Sequence, residues 1–259
     1  MTEPTLDDRA PRRWIGPVVA LLAFFAVVGA YLLTELKMAG RVGPPLDDGW
    51  IYMAFARSLA EGEGITYPGH DGPVASVTGP IWCFLLALAM KVVGANVWAS
   101  KLLGILVGAL GVIAAHRLAH TASKGDLRLA GIAAVLLALT PRYAWGCLSG
   151  MEVPWFVAMT CLGLALHLEN RDRSTLRWLP AAFTLTLAAW ARPECLVLPF
   201  LAAAHRFWHV RRIDGFLLAV PLVATFPAYH LLVSGHPLPI TFYAKAADGT
   251  PVSIFKQEG

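Results

Sequence analysis

Eight apolar runs dominate the sequence and restrict its fold more than any other feature. They cover residues 15–36, 79–93, 97–119, 127–145, 153–168, 176–190, 195–207 and 213–233. A bilayer core about 30 Å thick requires about 20 apolar residues in a helix, so these runs are candidate membrane helices. Charged residues make up only 15% of the chain, which is too little to cover a water-soluble globule or to sustain intrinsic disorder. The sequence therefore predicts an all-α polytopic membrane protein.

Four basic clusters between the runs set the predicted topology. They are Arg9, Arg12 and Arg13; His116, Arg117, His120, Lys124 and Arg128; Arg171, Arg173 and Arg177; and His205, Arg206, His209, Arg211 and Arg212. Basic residues are enriched on the cytoplasmic side, so the clusters share that side only if an even number of crossings separates each from the next. Three runs separate the first two clusters. The shortest of these, 79–93, has 15 residues after a Pro- and Gly-rich stretch, and we predict that it lies in the outer interface without crossing.

Seven crossing helices remain, and they give the expected domain organisation. Residues 1–14 form a cytoplasmic N-terminal tail, 15–233 the membrane module and 234–259 an external C-terminal segment, with a long external loop at 37–96. No small-residue cleavage site follows the first run, so we predict a retained helix. The expected localisation is the plasma membrane, as a multi-pass protein. The net charge of +4 lies in the short clusters, which indicates membrane orientation rather than nucleic-acid binding.

Four outer segments carry unusual polar residues in this topology. They are residues 44–52, 149–152, 192–194 and 236–245. Ionisable groups at membrane depth are energetically costly, and they indicate a functional site. Two aspartates, Asp47 and Asp48, together with Glu152, supply carboxylates for base catalysis or for a cation. Arg192 and Lys245 are cations suited to a phosphate.

Each of these residues also has a purely structural explanation that the sequence leaves open. Asp47 or Asp48 could cap a helix, because apolar residues repeat at helical spacing just after them. Glu152 could be an acid in the first turn of the following helix. Arg192 and Glu194 could pair with each other at the interface. Two further residues could occupy exposed loop positions: Lys245 and His236.

Five stretches of the chain resemble polytopic GT-C glycosyltransferases. Residues 47–65, DDGWIYMAFARSLAEGEGI, resemble the opening "DDaYIsfRYArNLaeGhGL" of that superfamily. The later matches, in chain order, are VASVTGPIW at 74–82 with "VEGYTSPLW", SGME at 149–152 with "SGMET", RPE at 192–194, and PLPITFYAK at 237–245 with "PLPNTFYAK". The resemblance is closest to the mycobacterial-type terminal arabinofuranosyltransferases and to the protein-mannosyltransferase-like and aminoarabinose-transferase-like group. It spans residues 47 to 245.

The resemblance implies a fold and a reaction. The fold is a seven-helix GT-C module with interfacial helices in its first external loop. The reaction is the inverting transfer of a sugar, a pentofuranose in the arabinofuranosyl branch, from a polyprenyl-phosphate donor to a glycan or lipid acceptor on the outer face. Membrane lipids are the surroundings, and no nucleic acid is expected as a partner.

The resemblance also implies roles for individual residues. Asp47 would be the general base, and Asp48 would orient it, bind the acceptor or hold a cation. Glu152 would contact the acceptor or a metal, while Arg192 and Lys245 would hold the lipid phosphate. Further contacts with donor or acceptor are expected at Thr78, Glu194, Tyr243 and His236. No cofactor is implied with certainty: metal use differs among relatives, and a divalent cation, magnesium or manganese, at Asp48 and Glu152 is left open.

Departures from the family pattern keep other functions open. Residues 75–77, Ala-Ser-Val, replace Glu-Gly-Tyr, and Ser58 and Ile240 stand where Asn is usual. Many relatives continue into further helices and a soluble outer domain, whereas this sequence stops at Gly259. The second hypothesis is therefore a non-catalytic or partner-dependent GT-C-like module. A transporter or flippase is a third, less favoured because the sequence has no internal repeat and its ionisable residues lie at the ends of the runs.

Overall fold

The computed structural model describes residues 12–67 and 77–246, which form a bundle of helices joined by short connections. About 80% of these residues are helical and none is in a strand. The helices are α1 (Arg12–Ala39), α2 (Asp47–Glu61), α3 (Pro80–Val93), α4 (Val97–Ala122), α5 (Leu127–Ala138), α6 (Pro141–Leu148), α7 (Val153–Asn170), α8 (Thr175–Ala189), α9 (Val197–Val210), α10 (Asp214–Ser234) and α11 (Ile240–Ala246), with a 3-10 turn at Pro193–Leu196. The predicted all-α class is confirmed.

Several helices are suited to cross a membrane. Three are long and apolar enough to do so, namely Trp14–Ala39 within α1, all of α4 and all of α10, and a fourth crossing is possible if the bent pair α5–α6 forms one span. Large apolar side chains point away from the bundle on these helices, as lipid surroundings require: Leu22, Leu106, Leu136 and Leu232. These features indicate a membrane protein. The seven crossings and their orientation stay predictions.

A bend divides one of the predicted helices. The sequence predicts a continuous helix over 127–145, but α5 ends at Ala138 and α6 begins at Pro141, with an angle of 58° between them. Pro141 has no amide hydrogen, and its ring disfavours helical backbone at the residue before it. Thr140 accordingly has extended backbone. Pro193 marks the analogous break between α8 and α9, which the sequence does predict.

Helix α4 lies at the centre of the bundle, where it packs against α1, α3, α5, α6 and α7. Glycines on one side of α4 let α6 approach closely. A Cβ at Gly104 would lie 1.9 Å from the Cys147 carbonyl oxygen. The Tyr143 hydroxyl donates a hydrogen bond of 2.8 Å to the carbonyl of Gly108, in the next turn of the same helix. Small residues at such contacts allow backbones to pack at short range, as is usual between membrane helices.

The described basic clusters gather at one end of the bundle. Arg117 near the end of α4 pairs with Glu169 near the end of α7, with 2.6 Å between Nη2 and Oε2. Arg206 of α9 donates hydrogen bonds to backbone carbonyls at the end of α7. The start of α1 reaches the same end, because a Cβ at Gly16 would lie 3.2 Å from Nε2 of His116. This common end is what the predicted topology requires.

Candidate functional site

The four outer segments meet at the opposite end of the bundle. Gly49 in the first turn of α2 packs so closely on the segment 149–152 that a Cβ would lie 2.3 Å from the carbonyl oxygen of Ser149. Only glycine fits this contact, which joins the first segment to the second. Trp82 of α3 adds a hydrogen bond of 2.8 Å from its indole nitrogen to the carbonyl oxygen of Gly150.

A cavity of about 420 Å³ lies where the segments join. Residues from all four outer segments line it, together with a residue at the end of the loop that precedes α3. Its polar lining consists of Asp48, Thr78, Glu152, Arg192, Glu194 and Thr241. Apolar side chains, including Met151 and Phe242, complete the wall. The structure therefore brings together five residues that the sequence predicts for one site.

An ion pair between Glu152 and Arg192 is the main polar contact in this cavity. The distance from Glu152 Oε1 to Arg192 Nη2 is 2.9 Å. Glu152 is only 2% exposed, whereas the side chain of Arg192 is 35% exposed. The guanidinium also lies 6.0 Å from the ring centroid of Phe156, one helical turn after Glu152. Arg192 thus pairs with Glu152, and the alternative pairing with Glu194 is not seen.

Two atoms of this ion pair are buried without a hydrogen-bond partner among the described residues. They are Glu152 Oε2 and Arg192 Nε. Thr241 Oγ1, on the cavity wall, is also buried without a partner among these residues. Buried polar atoms in folded proteins nearly always have partners, because an unmade hydrogen bond costs about 1–3 kcal/mol. Unpaired acceptor and donor atoms on one cavity wall are therefore suited to bind a polar ligand.

Tyr52 packs behind the cavity wall, and the sequence motifs do not predict a role for it. Its hydroxyl accepts a hydrogen bond of 3.1 Å from the amide of Gly79 and lies 3.0 Å from Oγ1 of Thr78. Burial, and then the negative charge of Glu152, raise the pKa of Tyr52 well above its usual value, so the phenol stays protonated. The available signal was its position one helical turn after Asp48, on the same side of α2.

The two aspartates occupy different positions relative to the cavity. Both are exposed in the first turn of α2, where the helix dipole favours negative charge. The N-cap residue is Leu46 and no side chain caps the helix, so the capping alternative is not seen. Asp48 lines the cavity, whereas Asp47 does not contribute to its wall.

The remaining predicted residues lie near the cavity or outside the described part. His236 and Tyr243 pack together with 5.3 Å between ring centroids, but neither lines the cavity. Lys245 belongs to α11, and its side chain is outside the described residues, as are residues 74–76 of the second motif. Within the described ranges, no group of three or more His, Cys, Asp or Glu side chains is close enough to hold a metal ion.

A buried lysine holds the loop that leads into Asp47, and the sequence motifs do not predict this role either. Lys101 Nζ donates hydrogen bonds of 3.2 and 3.0 Å to the two carboxylate oxygens of Glu35 and one of 2.9 Å to the carbonyl of Gly43. The Gly43 amide donates in return to Glu35 at 2.7 Å. Lys101 is fully buried at the start of α4, and a lysine within an apolar run was the available signal. This network fixes residues 40–46 against α1 and α4.

Comparisons of the chain with protein-family models, with curated proteins and with solved structures give no match. The resemblance to GT-C enzymes therefore rests only on the motifs quoted above. The structure shows that residues from distant parts of the chain line one cavity.

Proposed function

We propose that the protein is a GT-C-type glycosyltransferase. It transfers a sugar, with inversion, from a polyprenyl-phosphate donor to a glycan or lipid acceptor on the outer face of the plasma membrane. The observation that carries this proposal is the cavity shared by the four outer segments, because the same segments carry the motifs that resemble these enzymes. A cavity with carboxylates and a guanidinium at one end of apolar helices suits a donor with a polar head and a long apolar tail.

The proposed reaction is a single displacement. A carboxylate of the Asp47–Asp48 pair takes the proton of the acceptor hydroxyl while the acceptor oxygen attacks the anomeric carbon. The bond from that carbon to the phosphate oxygen breaks, and polyprenyl phosphate leaves with the bonding electrons. A positioned base contributes about 10²–10⁴-fold to such a reaction. Asp48 is favoured for direct contact with the ligand because it lines the cavity, and Asp47 is the base that the motif implies.

Arg192 is the proposed ligand of the donor phosphate. Glu152 occupies its Nη2, but 35% of the Arg192 side chain is exposed and the residue lines the cavity, so a phosphate oxygen could contact the rest of the guanidinium. Lys245 is proposed as a second phosphate ligand on its motif alone. If a magnesium or manganese ion takes part, Asp48 and Glu152 are its proposed ligands.

A transfer assay with the full chain in lipid vesicles tests this function. The donors are polyprenyl-phosphate pentofuranose and polyprenyl-phosphate hexose, supplied separately, with and without magnesium or manganese. We expect product from the wild type with one donor class. We expect losses of at least about 100-fold in Asp47→Asn or Asp48→Asn, whichever removes the base.

The control for these variants is Glu63→Gln, which removes an exposed carboxylate from the same external loop without touching the cavity. Its activity should equal that of the wild type. Equal product from the wild type and both aspartate variants would contradict the assigned chemistry. A folded wild-type chain that yields no product but still binds the donor would instead favour the non-catalytic module.

A further inference from the structure

The end of the bundle opposite the cavity has an exposed basic surface that the proposed function does not use. Four helix termini meet there: the C-termini of α7 and α9 and the N-termini of α8 and α10. Four exposed arginines lie on these helix ends: Arg173, Arg177, Arg211 and Arg212. No ion pair joins any of them to another residue in the described ranges.

Arg206 holds this surface in place from inside. It is fully buried and donates to the carbonyls of Arg171 and Arg173 and to both carboxylate oxygens of Asp214, at 3.2 and 2.8 Å. Thr175 donates to the same carboxylate at 2.5 Å. These bonds fix the connection between α7 and α8 against the turn between α9 and α10. The exposed arginines therefore project from an ordered frame.

Large apolar side chains are exposed among these arginines. Leu176 is 81% exposed, Trp208 is 76% exposed and Ile213 is 61% exposed. All three lie at the helix ends that carry the arginines: Leu176 in the first turn of α8, Trp208 in the last turn of α9 and Ile213 directly before α10. Water does not favour such exposure, whereas a membrane interface does, because Trp lies at headgroup depth and apolar side chains insert below it.

Within the described ranges, the acidic residues nearby do not neutralise this surface. The carboxylate of Asp214 is occupied by Arg206 and Thr175, and that of Asp172 lies 3.6 Å from Arg171. The four exposed arginines keep their charge and can bind anions. A planar guanidinium binds phosphate oxygens through paired hydrogen bonds, which suits a phospholipid headgroup.

We propose that this surface, the basic rim (Arg173, Arg177, Arg211 and Arg212 with Leu176, Trp208 and Ile213), binds anionic phospholipids. The arginines contact the headgroup phosphates and the three apolar side chains insert beside the acyl chains. This binding is independent of the cavity and of sugar transfer. It distinguishes anionic from zwitterionic lipids because only the former bring a net charge to the rim.

Native mass spectrometry of the full chain in detergent tests this proposal. The protein is mixed with equal amounts of phosphatidylglycerol and phosphatidylcholine, and the retained lipids are counted. We expect the wild type to retain phosphatidylglycerol preferentially. Arg211→Gln/Arg212→Gln should lower this preference roughly 10- to 30-fold, since each basic residue near an anionic surface contributes about fivefold.

Two further variants separate the rim from general charge and from misfolding. Arg173→Gln/Arg177→Gln removes two charges from the other loop of the rim and should have the same effect. Lys37→Gln/Lys91→Gln removes two exposed charges near the cavity end and should retain the wild-type preference. Circular dichroism checks that each variant is folded.

Three results would overturn the proposal. The first is equal retention of the two lipids by the wild type. The second is an equal loss in the Lys37→Gln/Lys91→Gln control, which would assign the effect to net charge. The third is displacement of phosphatidylglycerol by millimolar inorganic phosphate, which would make the rim a site for free anions.

Discussion

Single residues at the cavity act through contacts with distant parts of the chain. Tyr52 belongs to α2, yet its hydroxyl satisfies the amide of Gly79, which precedes α3. The same hydroxyl lies beside Thr78 on the cavity wall. A Cβ at Gly79 would lie 2.7 Å from the carbonyl oxygen of Ala191, so Gly79 also packs closely against the segment that carries Arg192. The hydroxyl thus joins α2 to residues 78–79, which in turn pack against the segment that carries Arg192.

Replacing Tyr52 with Phe should destabilise the protein by about 1–3 kcal/mol, because the buried amide of Gly79 loses its acceptor. Thermal unfolding of the detergent-solubilised chain measures this change. Tyr67→Phe is the matched control, since the ring of Tyr67 packs on Phe55 but 43% of the residue is exposed. Equal stability of the two variants would exclude the supporting role of Tyr52.

At the scale of helices, the approach of α6 to α4 depends on residues without side chains. Gly104 contacts the carbonyl of Cys147, and a Cβ at Gly111 would lie 2.1 Å from the Tyr143 hydroxyl oxygen. Segment 149–152 follows α6 directly, so this packing also sets the position of Glu152 along the axis of the bundle. The glycines of α4 therefore position the cavity although none of them lines it.

Gly104→Ala should destabilise the fold by about 1–3 kcal/mol or more, because the added methyl group overlaps backbone atoms that cannot move independently. Gly29→Ala on α1 provides the comparison, since a Cβ there meets nothing within 4 Å. It should be neutral or slightly stabilising, as alanine favours helix by up to about 1 kcal/mol over glycine. Thermal unfolding midpoints of the two variants measure the difference. A Gly104→Ala variant with the stability of the wild type would refute close packing of α6 on α4.

At the scale of the whole molecule, the chain separates its charges between two ends. The basic clusters described by the structure lie at one end, and the four outer segments lie at the other. The sequence predicts that the basic end faces the cytoplasm. The fold is compatible with this orientation but does not depend on it.

Cysteine labelling in intact cells tests the orientation. Ser174→Cys reports the basic end and Glu63→Cys reports the cavity end, because both positions are exposed. A membrane-impermeant maleimide should label Glu63→Cys from outside and label Ser174→Cys only after the membrane is opened. The parent chain gives the background, which should be low since its four cysteines are buried or partly buried. The reverse pattern would invert the proposed topology.

The sequence predicts features that follow from local composition. Hydropathy places the ends of α1, α4 and α10 within a few residues, since each helix must present an apolar surface over its whole length. The distribution of charge predicts that the outer segments share one end, and Asp48 and Glu152 indeed line one cavity. The roles assigned to these residues stay predictions.

Other features depend on packing between segments that the sequence does not relate. Lys101 and Glu35 are 66 positions apart, and only the folded bundle makes them partners. The pairing of Arg192 with Glu152 rather than with neighbouring Glu194 has the same origin, because the start of α7 packs beside the 3-10 turn. The bend before Pro141 was not predicted, because the hydropathy of a continuous apolar run does not show where a helix changes direction.

The separation of charge has a consequence for the chain once it is inserted. With its basic rim at one end, the molecule is an electric dipole along the membrane normal. A living membrane is negative inside, and moving one elementary charge across 100 mV changes the free energy by about 2.3 kcal/mol. The membrane potential therefore favours the predicted orientation, with the rim at the inner leaflet, over the inverted one, so an energised membrane should yield a more uniform orientation than passive vesicles.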